Sequence, residues 1–158
     1  MLKTIQAIEK EYTFDTFNAN IAIEIGNRLV ERAKKEKLPI VIDIATPSLT
    51  YYHVALEGAT ANNERFIARK KETVMRFFHS TWWVSYKVNH QSSSMHEKYG
   101  TNDRDFSILY GGWPILVSHL GVIGSICVSG LTQEEDNQLI MDALNEYFSL
   151  NHSMNQKD

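Results

Sequence analysis

An α+β fold with a mostly antiparallel sheet of about five strands is the architecture this sequence predicts, and three observations carry it. Long segments with a helical apolar period lie near the start, in the middle and at the end of the chain. Between them stand two groups of short β-rich runs, residues 40–56 and 106–129, whose internal turns are too brief for a parallel crossover. Neither a repeat nor a Pro/Gly/Ser linker divides the 158 residues. The expected organisation is therefore a single domain, 1–158, with its core over 15–148 and a polar tail at 151–158 that frays.

The first helix is expected to enter near Asp15 or Thr16 and to leave at Lys37-Leu38-Pro39. Lys34, Lys35 and Lys37 would then meet the negative end of its dipole. Phe17, Ala19, Ile21, Ala22, Ile23, Ile25, Gly26, Leu29, Val30 and Ala33 sweep roughly 240° of its circumference at the helical period. A helix packed on one side needs a stripe of only about 100°. Two readings fit: the helix is enclosed by its own domain, or its second face meets another subunit. The small residues Ala19, Ala22, Gly26 and Ala33 would let a second backbone approach closely, so a homo-oligomer, dimer or larger, is expected.

Pro39 opens a strand at 40–45, and Thr46-Pro47-Ser48 turns it into a second strand at 49–56. The asparagines of 59–63 can cap a middle helix from Glu64 to about Phe78. Ser80 can cap a further helix over 81–88, although Trp82, Val84, Tyr86 and Val88 also alternate like a strand. A long polar loop over 91–105 precedes strand-like runs at 106–110, 113–118 and 122–129. Thr132-Gln133-Glu134-Glu135 is a capping box, and the last helix carries Leu139, Ile140, Ala143, Leu144, Tyr147 and Phe148 on its apolar stripe.

Composition narrows the function. Sixteen Lys and Arg stand against nineteen Asp and Glu, for a net charge of -3, so no nucleic-acid partner is expected. No apolar run reaches the length of a membrane span, and charged residues interrupt the start before a signal-peptide block forms, so a cytoplasmic protein is expected. The lone Cys127 sits in an apolar strand and reads as inert packing. The six histidines show no i, i+4 pair and no His-Glu-x-x-His, so no metal site is expected. Nucleophile elbow, Walker loop and dinucleotide fingerprint are all missing. No acid–base pair can be assigned, which makes an enzyme the third reading, behind a binding protein and an interaction scaffold.

Lys70 is the odd residue of the middle helix, because it falls inside the apolar arc of Phe66, Ile67, Val74 and Phe77. Either its methylenes cover the core while the ammonium reaches water, or the cation stands at the floor of a pocket facing an anionic group. Arg65, Arg69 and Arg76 with Glu72 line the opposite face and read as solvated. His79 either complements the helix dipole or lines a pocket as a donor or iron ligand. Gly111-Gly112 before Trp113-Pro114 is a sharp turn whose amides could also hold an anion. For the scaffold reading, the features are the wide arc of the first helix and the aromatics Trp82, Trp83 and Tyr86.

Two segments carry a family resemblance. Gly111-Gly112-Trp113-Pro114-Ile115, then residues 121–131 with Gly121, Gly124 and Val128-Ser129-Gly130, then Glu135-Asp136, resemble the signature of the haem-degrading-domain (GlcG/HbpS-like) family. Residues 69–74 with 79–81 resemble that family's lysine- and threonine-bearing middle helix. The resemblance covers about 15–148 and implies a profilin-like or roadblock-like sandwich, an antiparallel sheet flanked by helices, assembled as dimers or rings. It implies haem or iron binding. The expected site lies between the Lys70 helix and the Tyr110-Gly111-Gly112 turn, with Lys70, Thr73, His79, Tyr110, Gly111 and Gly112 as its residues and haem or another small anionic molecule as the ligand.

Overall fold

The computed structural model describes the backbone of residues 1–155 and the side chains through Asn151. In chain order it holds α1 (Leu2–Glu11), β1 (Thr13–Phe14), α2 (Ala19–Glu36), β2 (Val41–Ala45) and β3 (Thr50–Ala55). Next come α3 (Ala61–Phe77), α4 (Thr81–Asn89), α5 (Met95–Tyr99), β4 (Gly112–Val117), β5 (Gly121–Ser129) and α6 (Gln133–Asn155). The five strands form one sheet in the order β1-β4-β5-β2-β3. β2–β3, β2–β5 and β4–β5 are antiparallel as expected, and β1 adds a parallel edge to β4.

Alternation along the strands separates two layers. Ile42 faces Val128 and Ile44 faces Ile126 across β2 and β5, and all four are buried in the larger core with Ala22, Ile25 and Leu29 of α2 and Leu139, Ile140 and Leu144 of α6. Each fully buried isoleucine or leucine there contributes about 1.5–3 kcal/mol. The alternate positions Val41 and Cys127 pack with Ile67 of α3 on the other face. α4 lies beside α3 on that face, and α1 packs against α4.

Caps fix the helix starts. Asn18, not Asp15 or Thr16, caps α2 by accepting from the Ile21 N–H at 3.0 Å. Thr60 caps α3 in a reciprocal box with Asn63, so the helix begins three residues ahead of Glu64. Ser80 and the Thr132–Glu135 box cap α4 and α6 as read. The alternation at 82–88 is helical, not a strand. α6 continues to Asn155, past the expected end at Leu150; of the tail, 156–158 lie outside the described residues.

Two expectations are corrected. Residues 106–110 are not a strand, because their amides are taken up elsewhere. Phe106 N–H turns to the Asn102 carbonyl, Ser107 N–H to Thr73 Oγ1, Leu109 N–H to Ser107 Oγ and Tyr110 N–H to Gln133 Oε1, so four of the five are lost to a ladder. The small-residue side of α2 does not wait for a second backbone either. Tyr52 fills it, with its ring 2.6 Å from where a Gly26 β-carbon would sit, and Ala22 and Ala33 are buried within the chain. Sheet and α6 cover most of the wide arc, leaving Ala19 and Ile23 exposed. Ile5 and Tyr12, upstream of the stretch expected to hold the core, are also buried.

Candidate functional site

Lys70 does not reach water. Its position on the inward face in the middle of α3 leaves it 2% exposed, and Nζ donates to the Val128 carbonyl at 2.8 Å and meets Asp136 Oδ2 at 3.3 Å. The cation does face a carboxylate, but one from its own chain. Burial pulls the Lys70 ammonium below the usual lysine range, with Asp136 opposing, and burial pushes the Asp136 carboxyl up, with Lys70 opposing. Gly111 packs directly against this pair, and its carbonyl accepts from Val128 N–H at 2.9 Å. Gly112 N–H donates to Thr81 Oγ1 at 3.0 Å. Thr73 Oγ1 donates to the Ser107 carbonyl at 2.7 Å and accepts from Ser107 N–H at 3.2 Å. The segment 107–112 is therefore locked at three points, by Thr73 to α3, by Gly111 to β5 beside the Lys70–Asp136 pair, and by Gly112 to α4.

His79 stands apart from that lock, beyond the left-handed residue Phe78 that ends α3. Its Nδ1 lies 2.7 Å from Glu9 Oε2, and Glu9, 4% exposed, also accepts the Ser80 N–H at 2.8 Å. The imidazole stacks on Trp83 at 3.8 Å and 11°, and Lys87 Nζ lies 4.9 Å from the Trp83 ring. With Nδ1 committed to a buried carboxylate, Nε2 is the ring's remaining nitrogen. This carboxylate–imidazole pairing orients metal-ligating histidines elsewhere. Trp82, on the same turn of α4, is 6.4 Å from the Tyr110 ring. Thus α4 meets His79 through Trp83 and Tyr110 through Trp82, while Lys70 belongs to the interior.

Two groups escaped the sequence. Glu9 lies on α1, whose Ile5-Ile8-Tyr12 spacing was the available signal. A chain of charged groups crosses from sheet to α3: Lys71 Nζ to Asp43 Oδ1 at 3.2 Å, Asp43 Oδ2 to His53 Nδ1 at 2.8 Å, and His53 Nε2 to Glu64 Oε1 at 2.9 Å. Asp43 is buried and finds its partners in these cations. Burial lowers the His53 pKa, but hydrogen bonds to Asp43 and Glu64 outweigh it and leave it raised. Cys127 is inert: burial above all, then Asp43, pushes its thiol up to about 12. No group of three or more metal-ligating side chains occurs among the described residues, so a bare ion has no cage there.

The fold and these contacts define a class: an α+β sheet with helices on both faces and a glycine turn locked against a buried lysine. The chain belongs to the HbpS-like haem-degrading protein family, whose description matches residues 17–145. It is similar to a UPF0303 protein of Sinorhizobium medicae, 35% identical over 151 residues, covering 96% of this chain and 92% of the relative. Among solved structures, Ybr137w protein superposes with a TM-score of 0.84 at 24% identity, over 93% of this chain and 87% of that one. PduOC, determined as a heme complex, superposes with a TM-score of 0.68 at 17% identity, over 82% and 94%. Those likenesses show a shared fold. No helix among the described residues is long and apolar enough to cross a membrane.

Proposed function

We propose that this protein is a cytoplasmic haem-binding protein, with no catalytic machinery of its own, whose site lies on the first turns of α4. The carrying observation is His79, held by buried Glu9 at 2.7 Å and stacked on Trp83. Haem fits this donor set better than a bare ion does, because the macrocycle supplies four ligands and needs one or two from protein. His79 would be the donor toward iron, Trp82, Trp83 and Tyr110 the apolar surface, and Lys87 a cation for a propionate. Lys70, Thr73, Gly111 and Gly112 act in this reading as the frame that positions Tyr110. The family and the PduOC heme complex support it.

Titrating haemin into the protein while recording the Soret band tests the reading. The expected result is a shifted band and a raised melting temperature, both lost in His79→Ala. Glu9→Gln, which weakens the orienting bond, should cost roughly 10–100-fold in affinity. A band unchanged from free haemin in the wild-type protein would overturn it.

The chain also reads as a homo-oligomer, on a different surface from the one α2 suggested. Pairing of Ala45 with Ser125 and of Val117 with Gly121 puts the β2–β3 and β4–β5 turns at the same end of the sheet. Leu49 and Leu120 on those turns are 55% and 71% exposed, and two exposed leucines on one end favour contact with a second copy. Light scattering should give a multiple of the 18.1 kDa chain mass, reduced in Leu120→Asp. A single-chain mass for the wild type would refute the oligomer.

A further inference from the structure

On the arginine face of α3, Arg65, Arg76 and Glu72 are exposed as expected and Arg69 is half-buried. Arg65 and Arg69 line a cleft of about 610 Å³ that Arg104, Asp105 and Phe106 close from the other side. Three arginines thus line one cleft, and among the described residues no ion pair joins any of them to a carboxylate. Two acids, Asp105 and Glu72, share the lining, so the arginines outnumber them three to two. Asp105 accepts from Asn102 Nδ2 at 3.0 Å within its own turn, and Glu72 is exposed on the helix surface.

The cleft is built rather than incidental. Arg69 donates through Nη2 to the Phe106 carbonyl at 3.5 Å and lies 4.9 Å from the Phe66 ring, which fixes its plane. Its Nε is buried and has no hydrogen-bond partner. Such a donor costs free energy unless something accepts from it. The Thr73–Ser107 bonds hold the far wall against α3, so the walls are already in place before a ligand arrives.

We propose that this cleft binds a diphosphate group, with Arg65, Arg69 and Arg104 as its ligands. Guanidinium forks pair with phosphate oxygens two at a time, and a diphosphate offers enough acceptors and charge for three of them. A single carboxylate offers one charge and two oxygens. The group can arrive as free pyrophosphate or as part of a nucleoside diphosphate; recognition of the diphosphate is common to both. The site is separate from that proposed for haem: Arg65 lies fourteen residues before His79, roughly 20 Å along the helix rise.

Calorimetric titration of the full chain with inorganic pyrophosphate, with ADP and with succinate at low salt decides the matter. Saturable binding of pyrophosphate is expected, weakened at least about tenfold in the Arg65→Gln/Arg104→Gln variant. Both arginines are exposed, so the variant should melt like the wild type. Arg76→Gln, whose side chain is bonded to the Tyr99 carbonyl outside the cleft, should bind as the wild type does. ADP bound as tightly as pyrophosphate, or tighter, identifies an esterified diphosphate; ADP bound more weakly identifies the free anion. Haemin binding should be unchanged in the double variant, so loss of the haem reading leaves this result intact. Absence of saturable heat with pyrophosphate, equal affinity in the double variant, or succinate binding as tightly would each overturn the assignment.

Discussion

Gly111→Ala is expected to lower the melting temperature by on the order of 10 °C. The backbone there has φ +113°, a conformation L side chains rarely adopt. An added β-carbon would stand 2.6 Å from Lys70 Nζ, 2.6 Å from the Val128 carbonyl oxygen and 3.0 Å from Asp136 Cβ. Lys70 is normally a flexible neighbour, but here both its partners are among the colliding atoms. The carbonyl belongs to β5, paired on both sides, and has little room to retreat. Backbone strain of about 1–3 kcal/mol and overpacking of about 1–3 kcal/mol act together. A domain of this kind holds only about 5–15 kcal/mol in total. Gly100→Ala is the control, since Gly100 has φ +68° with nothing within 4 Å of the new atom, and only the backbone cost remains. Equal melting of the two variants would show that the Lys70 lock is loose.

The parts of the fold that were legible are those where local chemistry and tertiary packing agree. The 46–48 turn, the Ser80 cap and the Thr132–Glu135 box each specify their element without help from distant residues. Where distant residues decide, sequence reading failed. Phe106 to Tyr110 looks like a strand by composition, yet Thr73 and Gln133, far away in sequence, claim its amides. β1 is two residues long, too short for any period to register. The wide arc of α2 was visible as a pattern, but a pattern cannot say whether a tyrosine of β3 or another subunit fills the small-residue side.

The candidate site shows the same division. Helical phase alone places Lys70 inward, and the structure puts it there. That phase carries no information about what the ammonium meets, because Asp136 is 66 residues away. His79 was visible as a polar residue after a helix, while the group that orients it comes from α1, 70 residues upstream. The arginines of α3 are legible as a solvated face, and Arg65 and Arg76 are exposed, but the nearness of Arg104 and Phe106 to Arg69 is set only when the long loop folds back. A site assembled from separate elements leaves single residues in the sequence and its geometry in the fold.

Lys70→Met should destabilise the protein by about 3–5 kcal/mol at neutral pH, the cost of leaving one partner of a buried ion pair alone. Methionine fills much the same volume, so the loss comes from charge rather than from a cavity. Asp136, 2% exposed, would keep the Leu131 N–H at 3.1 Å as its stabilising donor, while Val128 would lose the donor to its carbonyl. The pH dependence separates this account from simple misfolding. Burial already raises the Asp136 pKa against the pull of Lys70, and removing the cation raises it further. A carboxyl whose folded pKa exceeds its unfolded one contributes most below the unfolded value, and that contribution is lost as pH rises through the folded one. The deficit of Lys70→Met should therefore shrink as pH falls from neutral toward the unfolded carboxyl range near 3.8, and urea unfolding at several pH values measures it. Lys70→Met/Asp136→Asn, which removes the buried charge but keeps an oxygen for Leu131 N–H, should recover much of the loss at neutral pH and flatten the profile. A double variant as unstable as the single one would place the role of Lys70 in its bond to Val128 rather than in the ion pair.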